Sequence, residues 1–168
     1  MTVRARPGNP SQGLLAAGGR VMRCALGRSG IVTLKREGDG GTPRAAMAVL
    51  AGYYRKGRFS AQTRLPMTPI RPDLGWCDAP ADASYNRPVR LPFSASHERM
   101  LRSDHLYDAV IVLDWNITSR ARNLGSAIFL HIAKPGYAPT EGCVAVSARD
   151  MAWLLGRLRR GSVVRVMV

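Results

Sequence analysis

The segment from His131 to Ser147 contains the residue types that could do chemistry, a histidine and a cysteine joined by a Pro/Gly loop. A cysteine attacks acyl carbonyls as its thiolate, and a nearby imidazole is the natural group to remove the thiol proton. Gly142 lets the chain turn before Cys143 and lets a substrate approach the backbone closely. Backbone N–H groups around Cys143 could then stabilise an oxyanion. The segment therefore predicts acyl chemistry, with Cys143 as nucleophile and His131 as base.

The other cysteines favour structural roles. A cysteine within an apolar strand is usually a small core residue, which fits Cys24 inside Val21 to Leu26. Cys77 follows Trp76 in a loop and could be buried, free or paired with Cys24. Three cysteines are too few for a disulfide framework, and the cysteine and histidine spacing does not indicate a zinc site. We expect neither a metal nor a cofactor.

The residues after His131 resemble the active-site signature of a known family, the L,D-transpeptidase catalytic domain with its YkuD-like fold. Here the signature reads Thr140, Glu141, Gly142, Cys143 and Val144. A second element agrees, because Gly41-Thr42-Pro43 is similar to the family's Thr-Pro segment on an early strand. The order along the chain also fits, and the resemblance covers residues 18–168.

This resemblance implies a mainly β fold, a curved YkuD-like β-sandwich with one helix near the C-terminus. It implies cysteine catalysis on peptidoglycan stem peptides. Cys143 would form a thioacyl-enzyme with a stem peptide and pass it to a diaminopimelate amine, forming 3-3 or 1-3 cross-links. His131 would be the base and then the acid, oriented by a backbone carbonyl, here that of Ile132, and Gly142 completes the catalytic set. Carbapenem-type β-lactams would be covalent inhibitors of a periplasmic monomer.

The candidate substrate-binding residues lie in loops around the signature and upstream of it: Thr140, Glu141, Tyr137, Arg87, Tyr85 and His105. Glu141 stands where the family commonly has histidine, and it could hold an acceptor amine, which is cationic before it attacks. Arg87 could bind a stem carboxylate, since a guanidinium grips a carboxylate bidentately. Solvated loop residues are the alternative interpretation for Arg87 and Tyr85.

The charge balance keeps other functions open. The 168 residues include 25 Lys and Arg against 11 Asp and Glu, a formal net charge of +14. Such a surface attracts polyanions. Because nucleic-acid motifs are missing and the arginines do not interleave with aromatics, we expect no nucleic-acid partner. The alternatives are a basic, non-enzymatic polyanion-binding module, or an L,D-carboxypeptidase or amidase that uses the same Cys–His chemistry.

The elements that must position the site are mostly strands. Residues 1–17 are predicted to be a flexible Pro/Gly-rich lead-in, and residues 18–168 a single catalytic domain. The segments 20–26 and 30–35 predict a hairpin, whereas 45–54 could be a helix or a strand. Apolar runs predict a central strand at 109–115 and another at 126–133. Alternation in the second run places His131 with Phe129 on one face, opposite Leu130 and Ile132.

The remaining segments are a proline-rich stretch, a helix and a last strand. Residues 58–100 hold six of the eleven prolines and are interpreted as a substrate-facing excursion with short strands. Ser147 and Asp150 predict an N-cap for a helix over 148–160, closed by Gly161, before a last strand at 162–168. The apolar runs are too short for a membrane span. The first residues do not read as a signal peptide, which conflicts with a periplasmic location.

Overall fold

A computed structural model describes residues 1–60 and 62–168, so one residue of the predicted excursion lies outside the described part. The helical elements are α1 (Ala148–Leu155) and a 3₁₀ turn (Pro135–Tyr137). The strands are β1 (Thr2–Arg6), β2 (Asn9–Ala17), β3 (Arg20–Ala25), β4 (Ile31–Val32), β5 (Thr42–Pro43), β6 (Ala46–Tyr54), β7 (Met67–Pro69), β8 (Leu74–Cys77), β9 (Pro88–Arg90), β10 (His97–Arg99), β11 (Ala109–Leu113), β12 (Phe129–Ile132), β13 (Val144–Val146) and β14 (Val163–Met167).

The main sheet closes on itself. Over the described residues it contains nine strands in the order β11-β12-β13-β3-β2-β1-β14-β6-β7, and β6 also pairs with β11. The strands from β11 round to β6 therefore form a closed ring, and β7 is added alongside β6. The prediction of a mainly β fold with one α-helix is confirmed for the described residues. The expected curved sandwich takes the form of a barrel-like sheet.

The predicted flexible lead-in is wrong, because residues 1–17 form two strands of the closed sheet. β1 pairs in parallel with β14 and antiparallel with β2. Val3 and Leu15 are fully buried, so alternation with an apolar inner face explains why the segment is ordered. Gly8, with φ +74°, forms the turn between the two strands rather than a linker.

The predicted hairpin at 20–35 is also wrong. β3 pairs with β2 and β13, whereas β4 leaves the main sheet and pairs in parallel with β5. The chain turns away at Gly27, where a Cβ would lie 2.1 Å from the Gly40 carbonyl oxygen, and again at Gly30, with φ +71°. The ambiguous segment 45–54 is the strand β6, which pairs with β14, β11 and β7.

The barrel interior holds the larger of two apolar clusters, and α1 contributes to it through Met151, Leu154 and Leu155. The predicted N-cap is confirmed, since the Ser147 hydroxyl accepts from the Asp150 N–H at 3.1 Å. The helix ends at Leu155 rather than at Arg160. Gly156 has a poor helix propensity and forms the C-cap, which accounts for the earlier end.

Residues 70–107 cover one outer face of the barrel, and the predicted excursion does contain short strands. β10, β8 and β9 form a separate three-stranded sheet. Trp76 of β8 packs edge-on against Phe129 of β12, with ring centroids 5.0 Å apart. The second apolar cluster joins this cover to the outward side chains of β11 and β12. Within residues 1–60 and 62–168, no helix has the length and apolarity that crossing a membrane requires.

Candidate active site

The pairing of β12 with β13 places the predicted nucleophile and base on the same face of the sheet. The parallel register aligns Leu130 with Val144 and His131 with Ala145. Because side chains alternate along a strand, Cys143 and His131 both point outward, while Leu130 and Val144 point into the barrel. Cys143 and His131 line one cavity of about 480 Å³ beneath the cover.

The turn before Cys143 is built by Thr140 and Gly142. The Thr140 hydroxyl donates to the Cys143 carbonyl at 2.7 Å and accepts from the Gly142 N–H at 3.2 Å. Gly142 has φ +133°, and a Cβ there would lie 2.8 Å from the Gly41 carbonyl oxygen. Only glycine fits both the conformation and the close approach. Thr140 therefore lines the cavity, and its hydroxyl is already engaged in shaping the turn before Cys143.

The segment Gly41-Thr42-Pro43 packs against this turn. Thr42 is fully buried, and its hydroxyl accepts from the Gly27 N–H at 2.8 Å. The chain next to Gly27 in turn holds Thr140, whose N–H donates to the Leu26 carbonyl at 2.9 Å. The two motifs that the sequence linked only by resemblance are therefore packed against each other.

His131 has the hydrogen bond that a general base needs. Its Nδ1 lies 2.8 Å from the Ile132 carbonyl oxygen. A carbonyl can only accept, so Nδ1 carries the proton and the neutral ring keeps its lone pair on Nε2. The imidazole is only 5% exposed, and this burial lowers the pKa of His131 to about 4. The ring of Tyr107 packs edge-on against it, with centroids 5.4 Å apart.

The Cys143 thiol is held in a neutral resting state. Its Sγ accepts from the Phe129 N–H at 3.4 Å and donates to the Ala127 carbonyl at 3.2 Å. Burial raises the pKa of Cys143 to about 12, and the negative charge of Glu98 adds to the rise. Near neutral pH the site therefore holds a thiol and a neutral imidazole.

Asn86 supports the thiol through Ala127, and sequence reasoning did not identify this role. The Asn86 Oδ1 accepts from the Ala127 N–H at 3.0 Å and from the Trp76 indole at 3.1 Å. Its amide donates to the Trp115 carbonyl at 3.0 Å. Ala127 has φ +52°, a conformation that a non-glycine residue adopts only when neighbours hold it. Its carbonyl is thereby fixed opposite the thiol.

The structure brings together only part of the predicted substrate-binding set. Thr140 and Glu141 line the cavity, and the exposed Glu141 carboxylate pairs with Arg28. Tyr137 and His105 line a neighbouring cavity of about 490 Å³, which Ile132 also borders. The remaining two lie outside both cavities.

Tyr85 and Arg87 are those two residues. Tyr85 is buried, 3% exposed, and its hydroxyl donates to Glu37 at 2.5 Å. It thereby holds Glu37, a residue of the cavity lining. Arg87 is exposed, just before β9.

Several residues that line the cavity were missed from the sequence: Glu37, Asp78, Glu98, Arg102, Tyr107, Ser126 and Lys134. The Tyr107 hydroxyl donates to Glu98 at 2.7 Å, and Arg102 binds Asp104 through two hydrogen bonds of 2.9 and 2.8 Å. They come from loops and short strands that meet only through the fold, so no local spacing marks them.

All three cysteines are free and buried, so Cys24 and Cys77 do not form a bond. The Cys24 thiol differs from that of Cys143 in its surroundings. Cys24 belongs to the barrel interior, and its burial raises the pKa of the thiol to about 12. In the described part of the chain, no group of three or more His, Cys, Asp or Glu side chains is arranged to hold a metal ion.

Fold and site together define a class, a barrel-like β protein with a thiol and an imidazole on one covered face of its sheet. The family model for the L,D-transpeptidase catalytic domain matches residues 10–166, nearly the whole chain, and the chain belongs to this family. No curated protein and no solved structure matches it. The family acts on peptidoglycan, which lies outside the cytoplasm.

Proposed function

We propose that the protein is a cysteine L,D-transpeptidase that joins peptidoglycan stem peptides. The observation that carries the proposal is the orientation of His131, whose Nδ1 is held by the Ile132 carbonyl while its side chain shares a cavity with Cys143. This arrangement leaves Nε2 free to take the thiol proton. Family membership supports the reaction class.

The first half-reaction acylates Cys143. As Sγ attacks the carbonyl carbon of the donor stem, the thiol proton passes to His131 Nε2. The C–N bond to the following residue then breaks, and His131 returns the proton to the departing amine. Because burial keeps both groups neutral at rest, proton transfer accompanies the attack instead of preceding it.

The second half-reaction transfers the acyl group. The neutral side-chain amine of a diaminopimelate residue attacks the thioester carbonyl, and its surplus proton passes to His131. The C–S bond breaks, an amide forms, and the sulfur regains its proton from His131. Water in place of the amine would give an L,D-carboxypeptidase or amidase with the same groups. Both 3-3 and 1-3 cross-links are compatible with this chemistry, since they differ in the donor stem position.

The test uses defined disaccharide-peptides of several stem lengths, with products read by mass spectrometry. Wild type and Cys77→Ala should form a cross-linked dimer, whereas Cys143→Ala should form none. Cys77 is the matched control because it is another buried free thiol, on β8 of the cover. Fragmentation of the dimer identifies the stem position. Shortened monomers alone would assign a hydrolase, and the absence of any Cys143-dependent product would overturn the proposal.

A second measurement isolates the acyl-enzyme. A carbapenem-type β-lactam should acylate Cys143, with its ring C–N bond opening, and should add its full mass to the protein. Intact-mass analysis of wild type, Cys143→Ala and Cys77→Ala reads this directly. An adduct that persists in Cys143→Ala would contradict the assignment of the nucleophile.

A further inference from the structure

Carboxylates are concentrated in the cavity of a strongly basic protein. The chain has 11 acidic residues and a formal net charge of +14, yet four of the acidic residues line this one cavity. They are Glu37, Asp78, Glu98 and Glu141. The cations that line the same cavity are Arg102 and Lys134, and Arg102 is already bound to Asp104. Glu141 is paired with Arg28, and Arg102 also lies 3.5 Å from Glu98. The lining carboxylates still outnumber the lining cations by four to two, so the cavity wall carries a net negative formal charge.

Two of these carboxylates come from the same face of the small covering sheet. Glu98 on β10 pairs with Trp76 on β8, and the Asp78 N–H continues the pairing by donating to the Ser96 carbonyl at 3.2 Å. Trp76 and Asp78 are two residues apart and so share a face, which makes Asp78 and Glu98 diagonal neighbours. Trp76 points this face towards β12 through its contact with Phe129.

Polar atoms in this part of the cavity lack partners. Within the residues that the structure describes, Asp78 Oδ1 and Ser126 Oγ are buried without a hydrogen bond. Ser126 is 7% exposed. The Tyr85 hydroxyl is the polar group beside Ser126, and Ser126 can donate to its oxygen, but Tyr85 gives its own proton to Glu37. The lone pairs of Ser126 Oγ are therefore left without a donor. Buried polar atoms of this kind normally have a partner, so the pair indicates a ligand with hydrogen-bond donors.

We propose that Asp78, Glu98 and Ser126 form a subsite for a primary ammonium group, that of the acyl acceptor. An ammonium ion has three N–H donors and no acceptor, and each of these side chains offers an acceptor oxygen. The inference rests on the proposed function, and it names the residues that favour an amine over water as the second substrate.

The charge state of the cover is consistent with this subsite. Burial raises the pKa of Glu98, and the negative charges of Asp78 and Asp104 add to the rise. Tyr107 and Arg102 oppose it only in part. A bound cation would relieve this repulsion, which an uncharged nucleophile cannot do.

The transfer step balances in atoms and charge. The bound ammonium first loses one proton through the carboxylates to solvent, which leaves a neutral amine. Its nitrogen attacks the thioester carbonyl and the C–S bond breaks, while the second proton passes through His131 to the sulfur. One thioester and one ammonium ion thus give one amide, one thiol and one released proton.

The experiment separates acylation from transfer. Wild type, Asp78→Asn and Glu98→Gln are acylated with a donor stem peptide, and the ratio of aminolysis to hydrolysis is followed against acceptor-peptide concentration. Asp73→Asn is the matched control, because it removes a carboxylate of the same covering segment outside the cavity. Thermal melting confirms that each variant is folded.

Because the ratio of aminolysis to hydrolysis is read after the thioester has formed, it does not depend on the rate of acylation. We expect Asp78→Asn and Glu98→Gln to need about tenfold more acceptor than wild type for half-maximal aminolysis. If both behave like Asp73→Asn, the subsite is overturned while the acyl-enzyme stands. If wild type is never acylated, the proposed function fails, and direct binding still tests the subsite. A diaminopimelate-containing tripeptide should then bind Cys143→Ala about tenfold more tightly than its side-chain N-acetylated form, and Asp78→Asn should remove that preference.

Discussion

The outer face of the closed sheet is used in two different ways. On β11 and β12 the outward residues Val110, Val112 and Phe129 are apolar and lie beneath the cover. On β1, β2 and β3 the outward row is Arg4, Leu14 and Arg23, directly paired across the strands and exposed. Strands that are apolar on both faces need a covering layer, and strands that alternate do not. The cavity exists because one part of the sheet is covered.

The charged side chains also differ between the open face and the covered face of the sheet. The open face carries arginines such as Arg4, Arg23 and Arg165, whose guanidinium groups remain in water. The covered face gathers carboxylates around the thiol. An anionic polymer is therefore attracted to most of the surface, while the cavity attracts cations. A substrate with both carboxylates and amines would match both regions, its carboxylates the basic surface and its amines the cavity.

The largest expected effect comes from the base in the covered region. His131→Asn should slow acylation of Cys143 by about 10²–10⁴-fold, because the thiol loses its proton acceptor. The time course of intact-mass change with a donor peptide measures this. His105→Asn is the matched control, since His105 lines the neighbouring cavity and should leave the rate within about twofold of wild type. Equal loss in both variants would contradict the assigned base.

Asn86 and Arg23 compare the two faces in stability. Asn86→Ala leaves the Trp76 indole and the Ala127 N–H without their acceptor, and we expect about 3 kcal/mol less stability to urea. Arg23→Ala removes an exposed guanidinium 4.7 Å from the Tyr137 ring and should cost about 0.5 kcal/mol or less. Similar losses in the two variants would mean that the cover is not held by Asn86.

The sequence predicted best what depends on local pattern. The central strand predicted at 109–115 is present over 109–113 between two neighbours, and the alternation that places His131 with Phe129, opposite Leu130 and Ile132, is confirmed. The bond from His131 to the Ile132 carbonyl, which the family resemblance implied, is also present. The local period was enough to predict the strands, and the resemblance supplied the partner of the histidine.

Features that depend on long-range pairing were not predicted. Pro and Gly near the N-terminus indicated a flexible lead-in, but β1 is held by β14 at the other end of the chain. Asp78 and Glu98 become neighbours only through the β8–β10 pairing, and Asn86 reaches Ala127 across 41 positions. Short strands with weak patterns carry no local signal of their partners.

Titration of His131 gives a further contrast between the faces. Its pKa falls from an ordinary 6.5 to about 4 on folding, so the unfolded chain binds this proton more readily. Stability should therefore decrease as pH falls from 6.5 to 4, by about 3 kcal/mol from this group. The outward row of the open face, Arg4, Leu14 and Arg23, contains no histidine, so this contribution belongs to the covered face.

Denaturation at several pH values, in wild type and His131→Asn, isolates that contribution. Glu98, whose pKa is raised by burial, is present in both proteins, so the difference between them reports His131. The variant should lose less stability between pH 6.5 and 4 than wild type does. Parallel curves would show that His131 does not titrate as a buried neutral base.

Two glycines compare the backbone of the open face with that of the covered face. Gly8, in the β1–β2 turn beside the open face, has φ +74° and free space around it, whereas Gly142 has φ +133° and faces the Gly41 carbonyl. Gly8→Ala should cost about 1 kcal/mol for its left-handed conformation. Gly142→Ala should cost about 2 kcal/mol more, because the new Cβ must also displace the turn that carries Cys143. Urea denaturation measures both losses, and intact-mass acylation shows whether the turn moved. Equal losses of stability in Gly8→Ala and Gly142→Ala, with normal acylation of Gly142→Ala, would mean that the turn has room to adjust. In that case the packing of residues 41–43 against the turn is not what positions the thiol.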